Sequence, residues 1–484
     1  MKKLTILFLV AVLTGCSNFL EEEPKGQVVG TNAIADVAGL ESALTGTYKG
    51  LLRTWARGFL TSAIQAYVMG GDDVSTIAGG NKWDFREFDQ FDVTPANPRM
   101  VQIWSGTYKT IQGANNIIEN YKSVTGDQAT IDAIVGEAYF LRALSYYWLV
   151  RGYGNIPLIT TAQFSNDQLS IQKSPPTEVY KLIEADLLEA EKRVPNVKRA
   201  PGRPNKGSVK ALMADVYLTE AGWPLKVTAN YAKAAAKAKE VIDGKTTYGF
   251  DLVPDLATLW SGTASAVGTK EEVFAFQTSA NFGGSTNSFY GLPATPGDEN
   301  GWDDYLAEIN FFNRFPAGKR KDVTFHTVFT KPDGTKITWQ NSLSKHPYYA
   351  KFRLADNTQF SSSQPVHMIR YAHVLLVYAE AQARADGTPN AQAYEAINAI
   401  RTRAGLQVLA AGMTGPNFAN AVVDERAWEF AGEWTRWFDL IRLEKVEEAN
   451  ASKAPDDLKP TGAISKTDYW YPIPISDANI NSNL

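Results

Sequence analysis

The sequence predicts an all-α protein built from stacked helical hairpins, with an irregular, loop-rich portion in its C-terminal half. Three observations predict this class: apolar residues recur at helical spacing, short Gly- and Pro-rich breaks separate these stretches, and one long segment loses the periodicity. The 484 residues are 44% hydrophobic and 21% charged, which is ordinary for a globular chain. A formal net charge of −4 provides no field that would attract phosphates, so nucleic acid is not expected as a partner.

The N-terminus predicts export and lipid attachment. Two lysines at positions 2–3 precede an apolar run over 4–13, which is too short to cross a bilayer as a helix. The sequence Leu-Thr-Gly-Cys then ends at Cys16 and resembles a bacterial lipobox, in which the cysteine becomes the acylated first residue. Cys16 is the only cysteine, which also excludes a disulfide framework. We predict a signal peptide over 1–15 and lipidation at Cys16; a plain secretory signal is the alternative.

A polar tether follows over 16–35. Its three consecutive glutamates, Glu21 to Glu23, resemble the acidic export signals of lipoproteins that reach the outer surface of some Gram-negative outer membranes. A solvated run of charge is the alternative interpretation. The expected location is the cell surface, with the chain held to the outer membrane by its lipid.

Helical periodicity begins at about residue 36. In the stretch 128–150 the apolar and small residues Ile134, Ala138, Leu141, Ser145 and Trp148 form one stripe of an amphipathic helix. Similar stretches cover about 36–53, 101–122, 176–194, 207–221 and 229–243. Each stripe must pack on a neighbouring helix.

Two pairs of stretches, 207–221 with 229–243 and 366–385 with 390–404, have the length of helical hairpins of about 34 residues. That length and the alanines at contact positions favour tetratricopeptide-like stacking, although the repeat signature is absent. Stacked hairpins provide a scaffold with an extended binding face.

The segment 261–365 is predicted to be a loop-rich insertion for ligand binding, between helical regions at 36–260 and 366–484. It is rich in Gly, Pro, Asn and Ser, and long irregular stretches inside compact proteins are usually functional. One minor β-hairpin is predicted, in which 328–331 and 335–339 flank the turn Pro332-Asp333-Gly334.

Catalytic motifs are missing from the sequence: it has no phosphate-binding glycine loop, HExxH, GxSxG or CxxC. The four histidines have no zinc spacing. Glu425, Glu429 and Glu433 share one face of a predicted helix, but arginines nearby in sequence favour a structural ion network over a glycosidase. The acidic pairs Asp72-Asp73 and Asp303-Asp304 could bind hydroxyls or calcium, cap a helix, or serve as a glycosidase dyad.

Aromatic residues in loops are the most informative functional signal. An indole beside Asp and Asn suits a sugar, because the C–H face of a pyranose lies on the ring while the polar side chains bond the hydroxyls. Local packing is the alternative for each such residue. The tryptophans in loop-like sequence are Trp83, Trp223, Trp260, Trp302, Trp339 and Trp470.

A set of motifs runs along nearly the whole chain: Cys16 with Phe19-Leu20-Glu21, Trp104, Tyr108 and Ala114-Asn115-Asn116, and the stretches 136–143, 153–158, 370–381, 397–406, 425–442 and 471–474. Together these motifs resemble the SusD/RagB family of outer-membrane glycan-binding lipoproteins. The resemblance implies four tetratricopeptide-like units, no catalysis, and a partner: a TonB-dependent transporter of the SusC type, which such proteins cap like a lid while they pass on captured oligosaccharides.

The resemblance also implies that the glycan site draws on about 70–90 and 280–340. The predicted ligand-binding residues are Asp72, Asp73, Asn81, Trp83, Trp302, Asp303 and Tyr305, with Tyr290 and Trp339 as weaker candidates. No cofactor is expected, and a structural calcium ion is left open. The alternatives are a lid of the same type for peptides or other nutrients and, with less support, a surface glycosidase.

Overall fold

The computed structural model describes residues 34–53, 57–59, 62–281, 287, 289–353, 362–451 and 453–484. The predicted signal peptide, Cys16 and nearly all of the tether lie outside these residues. The α-helices are α1 (Val37–Leu51), α2 (Ala63–Ala66), α3 (Trp83–Asp89), α4 (Pro98–Asn120), α5 (Gln128–Tyr153), α6 (Pro176–Arg193), α7 (Lys206–Glu220), α8 (Asn230–Asp243), α9 (Lys245–Tyr248), α10 (Ile309–Arg314), α11 (Lys319–Thr324), α12 (Tyr371–Asp386), α13 (Ala391–Arg403), α14 (Gly415–Glu429), α15 (Arg436–Arg442), α16 (Val446–Asn450) and α17 (Ile475–Ala478).

Polar caps set where the long helices begin. The side chains of Asn97, Asp127, Asn205 and Asn390 accept hydrogen bonds from backbone N–H groups in the first turns of α4, α5, α7 and α13, at 2.8–2.9 Å. These contacts satisfy N–H groups that have no partner within the helix. The helices therefore begin within a few residues of the positions that periodicity predicts.

The helices stack in the order of the chain. α1 packs on α4, α4 on α5, α5 on α6, α6 on α7 and α7 on α8. The stack then continues from α8 to α12, although residues 244–370 separate them, and α12 packs on α13 and α14. We call this set of helices the helical stack and residues 244–370 the inserted segment. The predicted all-α fold of stacked hairpins with a loop-rich portion is confirmed.

The strands are short and pair in twos. They are β1 (Leu52–Arg53), β2 (Arg57–Gly58), β3 (Val74–Ser75), β4 (Ile156–Pro157), β5 (Lys173–Ser174), β6 (Glu272–Phe276), β7 (Leu306–Ala307), β8 (Phe325–His326), β9 (Val328–Thr330), β10 (Lys336–Thr338), β11 (Tyr348–Tyr349) and β12 (Val366–Arg370). The predicted hairpin is confirmed as β9 with β10, in which Phe329 lies opposite Ile337. One boundary was wrong: residues 366–370 are not helical but form β12, which pairs with β6 and is buried at all but one position.

Buried ion pairs connect the inserted segment to α14 and to the turn that follows it. Arg320 lies 2.6 Å from Glu425 and 3.1 Å from Glu429, and Lys351 lies 2.9 Å from Glu433. The predicted structural ion network is therefore present, but α14 ends at Glu429, so Glu433 lies outside that helix. The cations also differ from those expected nearby in sequence. They come from distant positions: Arg320, Lys351, Arg370, Arg401 and Arg403.

Candidate functional site

The two loop regions predicted to form one site meet in the fold. β3 pairs with β7, so Ser75 lies opposite Leu306. The Thr76 hydroxyl donates to the backbone carbonyl of Asp304 at 2.9 Å, and the Lys82 ammonium pairs with the Asp304 carboxylate. The loop after α2 is thereby attached to the inserted segment at several points.

Trp83 is the most exposed tryptophan of this region. Its side chain is 44% exposed at the start of α3, and the neighbouring Asn81 is also exposed. The loop before it is held on both sides, because Lys82 pairs with Asp304 and the Arg86 guanidinium donates to the carbonyls of Ala78 and Gly79. Trp83 therefore presents an aromatic face from a loop whose position is fixed by bonds.

Asp303 and Trp302 lie across from this loop. Asp303 adopts a left-handed backbone conformation (φ 54°), and its carboxylate accepts hydrogen bonds from the Gly297 N–H at 2.7 Å and from the Tyr348 hydroxyl. Burial raises the pKa of this carboxyl, and the hydrogen bonds from Tyr348 and Gly297 act against the rise. Trp302 is half-buried. We call Asn81, Trp83, Trp302 and Asp303 the Trp83 surface.

Asp72 and Asp73 are interior residues. The Asp72 carboxylate lies 2.6 Å from Arg436 Nε and also pairs with Arg314. Burial would raise its pKa, but these two guanidinium groups hold the pKa below its usual value. Asp73 accepts a hydrogen bond from the Gly432 N–H at 3.0 Å, and burial together with the charge of Asp72 raises its pKa to about 7. Both carboxyls are buried and bind other parts of the protein, so neither is available to a ligand.

The remaining predicted ligand residues contribute to packing. Tyr290 and Tyr305 are buried against Phe352, and the Tyr305 hydroxyl donates to the Phe289 carbonyl at 2.6 Å. Trp339 is half-buried on a small apolar cluster that includes Phe329 and Tyr348. These three side chains therefore serve in packing and are not displayed on the surface.

Sequence reasoning missed two residues beside this surface. Lys82 is buried next to Trp83 and joins the two loops through Asp304. Leu343 is 83% exposed, and its N–H donates to the Asp298 carboxylate at 2.8 Å. A lysine that directly precedes an exposed tryptophan is a local signal for Lys82, whereas no local signal distinguishes Leu343.

The described residues provide neither a cluster of metal ligands nor a membrane-spanning helix. Across the described part of the chain, no group of three or more His, Cys, Asp or Glu side chains is arranged to hold a metal ion. None of the helices described has the length and apolar character needed to cross a bilayer.

Comparison with known proteins identifies the family. A family model described as the SusD family matches residues 328–484, and one described as starch-binding associating with outer membrane matches residues 18–218. SusD-like protein P2 of Formosa agariphila is 30% identical over 100% of this chain and 99% of its own length. The starch-binding protein SusD of Bacteroides thetaiotaomicron is 25% identical over 72% of this chain and 71% of its own.

Solved structures agree with this assignment. A SusD superfamily protein from Parabacteroides distasonis has a TM-score of 0.77 and 28% identity, and the match covers 92% of this chain and 98% of that one. A laminarin-binding SusD-like protein has a TM-score of 0.76 and 23% identity over 92% of this chain and 98% of that one, which shows the shared fold alone. The fold and these matches thus define the class of SusD-like proteins, which includes starch-binding members. The chain belongs to the SusD family, which is associated with the outer membrane.

Proposed function

We propose that this protein is a cell-surface lipoprotein that captures oligosaccharides at the Trp83 surface and delivers them to a SusC-like TonB-dependent transporter. Acylation of Cys16 would hold it to the outer membrane, and no cofactor takes part. Family membership supports the class of ligand and the membrane association. The exposed indole of Trp83 on a bonded loop is the single observation that carries the ligand-binding role.

The chemistry of the Trp83 surface suits a pyranose. The apolar face of a sugar ring stacks on an indole, and its hydroxyls bond to groups such as the Asn81 amide and the Asp303 carboxylate. Because Lys82 and Arg86 already fix the loop, little ordering free energy is lost when the ligand binds. An open surface that stacks one or two rings gives modest affinity, and we expect micromolar to millimolar dissociation constants.

The two competing functions make different demands on the same residues. A glycosidase would use Asp72 or Asp303, yet Asp72 is buried between two arginines, and Asp303 accepts hydrogen bonds from Gly297 and Tyr348. A peptide lid would use apolar contacts, for which Leu343 beside the surface is suited. Release of reducing ends by the purified protein would support the glycosidase, and displacement of glycan by peptides would support the peptide-binding lid.

Isothermal titration against a panel of plant, algal, fungal and host oligosaccharides tests the proposal. The protein would begin at Ser17, and titrations would run with and without calcium. We expect one glycan class to bind, and the substitution Trp83→Ala to weaken it at least tenfold. Phe164→Ala is the matched control, because Phe164 is also an exposed aromatic residue (65%) but lies in the connection between α5 and α6. Equal loss in both variants, or undiminished binding in Trp83→Ala, would exclude this surface.

The anchor is tested separately. Cells that express the full chain would be labelled with a palmitate analogue, and the Cys16→Ser variant would be compared. We expect label and outer-membrane fractionation only with Cys16 present. Label that persists in the variant would remove the lipoprotein part of the proposal without touching glycan binding.

A further inference from the structure

A cavity lies away from the Trp83 surface, between the end of α3 and the C-terminal tail. Its volume is about 550 Å³, within the range of roughly 300–1,000 Å³ typical of small-molecule sites. Aromatic side chains form its walls: Phe91, Trp437, Trp470 and Tyr471. Polar side chains form its rim: Asp92, Asn155, Lys173 and Asp468. We call it the Trp470 cavity.

Phe91 lines this cavity from a backbone conformation that is unfavourable for a bulky residue. The Asp92 N–H donates to the Glu87 carbonyl at 2.8 Å, so Phe91 occupies the left-handed position just after α3 (φ 58°) where glycine is usual. A bulky residue is disfavoured there. Its ring is only half-buried and makes an edge contact with Trp437 at 6.0 Å between centroids. Strained positions of this kind concentrate at functional sites.

Trp470 is supported from behind. Trp223 packs against it at 4.8 Å between ring centroids, and Gly154 approaches so closely that a Cβ atom there would lie 2.6 Å from the indole. Gly154 also has a left-handed backbone (φ 66°), so a side chain is disfavoured for two reasons. The half-buried indole is thus positioned by its surroundings while it lines the cavity.

The rim offers hydrogen-bonding groups of mixed character. The side chains of Asp92 and Asn155 are exposed and form no hydrogen bond with another described residue, and Lys173 Nζ donates to the Leu484 carbonyl at 2.8 Å. Two carboxylates, Asp92 and Asp468, disfavour an anionic ligand. An aromatic wall with carboxylate, amide and ammonium groups at its edge matches the apolar face and hydroxyl edge of a neutral sugar.

We propose that the Trp470 cavity is a second binding site, which takes one neutral pyranose or the end of a short neutral oligosaccharide. It lies at the C-terminal end of α3, whereas Trp83 begins that helix, and the seven residues of α3 span roughly 10 Å. The ligand class follows from the lining of this cavity and does not depend on the proposed role of the Trp83 surface.

Ligand-observed NMR on a Trp83→Ala/Trp302→Ala variant isolates the cavity. The probes are methyl glycosides of glucose, galactose, mannose and N-acetylglucosamine, and disaccharides of the same sugars. We expect binding of at least one probe, and at least tenfold weaker binding after the further change Phe91→Gly. This change relieves the left-handed backbone, so the unfolding midpoint should stay within a few degrees. Lys226→Gly is the matched control, because Lys226 is also left-handed (φ 53°) but does not line the cavity.

A second variant guards against an effect on folding. Asp92→Ala/Asn155→Ala changes only exposed rim groups and should also weaken the probe at least threefold. The proposal is overturned if no probe binds the variant that lacks Trp83 and Trp302, if Phe91→Gly binds as well as its parent, or if an aromatic dipeptide alone shows the Phe91 dependence. The two proposals can fail independently. Sugar binding in the Trp470 cavity without glycan binding at the Trp83 surface would contradict only the proposed function, and glycan binding at the Trp83 surface without sugar binding in the cavity would contradict only the second site.

Discussion

The helical stack and the inserted segment differ in how far along the chain their contacts reach. Helices of the stack bury apolar faces against helices next to them in the chain, as α5 does on α6. The inserted segment attaches through buried ion pairs to partners far away in sequence, as Lys351 does with Glu433. The order of the stack is therefore specified by neighbouring stretches of sequence, whereas the position of the segment depends on partners far along the chain.

Lys351→Met should produce the largest effect. The ammonium is fully buried and donates to the carbonyls of Glu429 and Ala431 as well as to Glu433, and all three would lose a donor. Removing one partner of a buried pair costs about 4 kcal/mol of unfolding free energy. Urea unfolding measures the loss, and limited proteolysis should show cleavage first within the inserted segment.

Lys192→Met is the control for that prediction. Lys192 pairs with Glu189 on the exposed face of α6, where an ion pair contributes less than about 0.5 kcal/mol. Similar losses in the two variants would mean that burial does not make the Lys351 ion pair more important for stability than the exposed Lys192 pair.

Leu141→Ala tests the contribution of apolar packing within the helical stack. Leu141 is fully buried on α5, and its truncation should lower the unfolding free energy by about 3 kcal/mol. Amide hydrogen exchange should quicken in both regions together, because the segment loses its partners when the stack opens. Faster exchange confined to the stack would show that the segment is stable alone.

Asp73→Asn should make stability less dependent on pH. The folded protein holds the Asp73 proton with a pKa of about 7, above the unfolded value near 3.9. The stability this group contributes is therefore complete below about pH 4 and is lost as pH rises through about 7. Asparagine resembles the neutral acid, so the variant should unfold at a clearly higher urea concentration than the wild type at pH 8 and at nearly the same concentration at pH 4. If the urea midpoints of variant and wild type differ equally at both pH values, titration of Asp73 is not the cause of the pH dependence.

Arg86→Met should give the smallest effect, on affinity rather than stability. The guanidinium holds the Ala78 and Gly79 carbonyls, so its loss should loosen the loop that presents Trp83 and weaken glycan binding about threefold, through added ordering cost. Isothermal titration measures the glycan affinity of Arg86→Met, and Trp83→Ala is titrated in parallel for comparison. A loss as large as that of Trp83→Ala would indicate direct contact between Arg86 and the ligand.

The helices could be predicted from sequence because their signal is local. The stretches 176–194 and 229–243 match α6 and α8 within a residue or so, since a 3.6-residue stripe and a cap lie within the segment itself. Residues 366–370 were misassigned because their apolar character fits a buried strand as well as a helix, and the deciding partner, β6, lies about 90 residues away.

The candidate site was predictable by region but not by residue. Exposure of Trp83 followed from its polar neighbours, whereas the burial of Asp72 depends on Arg314 and Arg436, more than 200 positions further along. The Trp470 cavity shows the same limit. Its aromatic walls come from three separate parts of the sequence, so no local pattern could have marked it.

The break in the stack between α8 and α12 also orders the assembly of the molecule. During synthesis from the N-terminus, helices α1 to α8 emerge first and can dock on neighbours already made, whereas α12 must wait for the whole of 244–370. Bringing the ends of so long a loop together costs about 4 kcal/mol of chain entropy. Completion of the last hairpin should therefore be the slow step of folding, and until then the apolar face of α8 is the surface most exposed to aggregation.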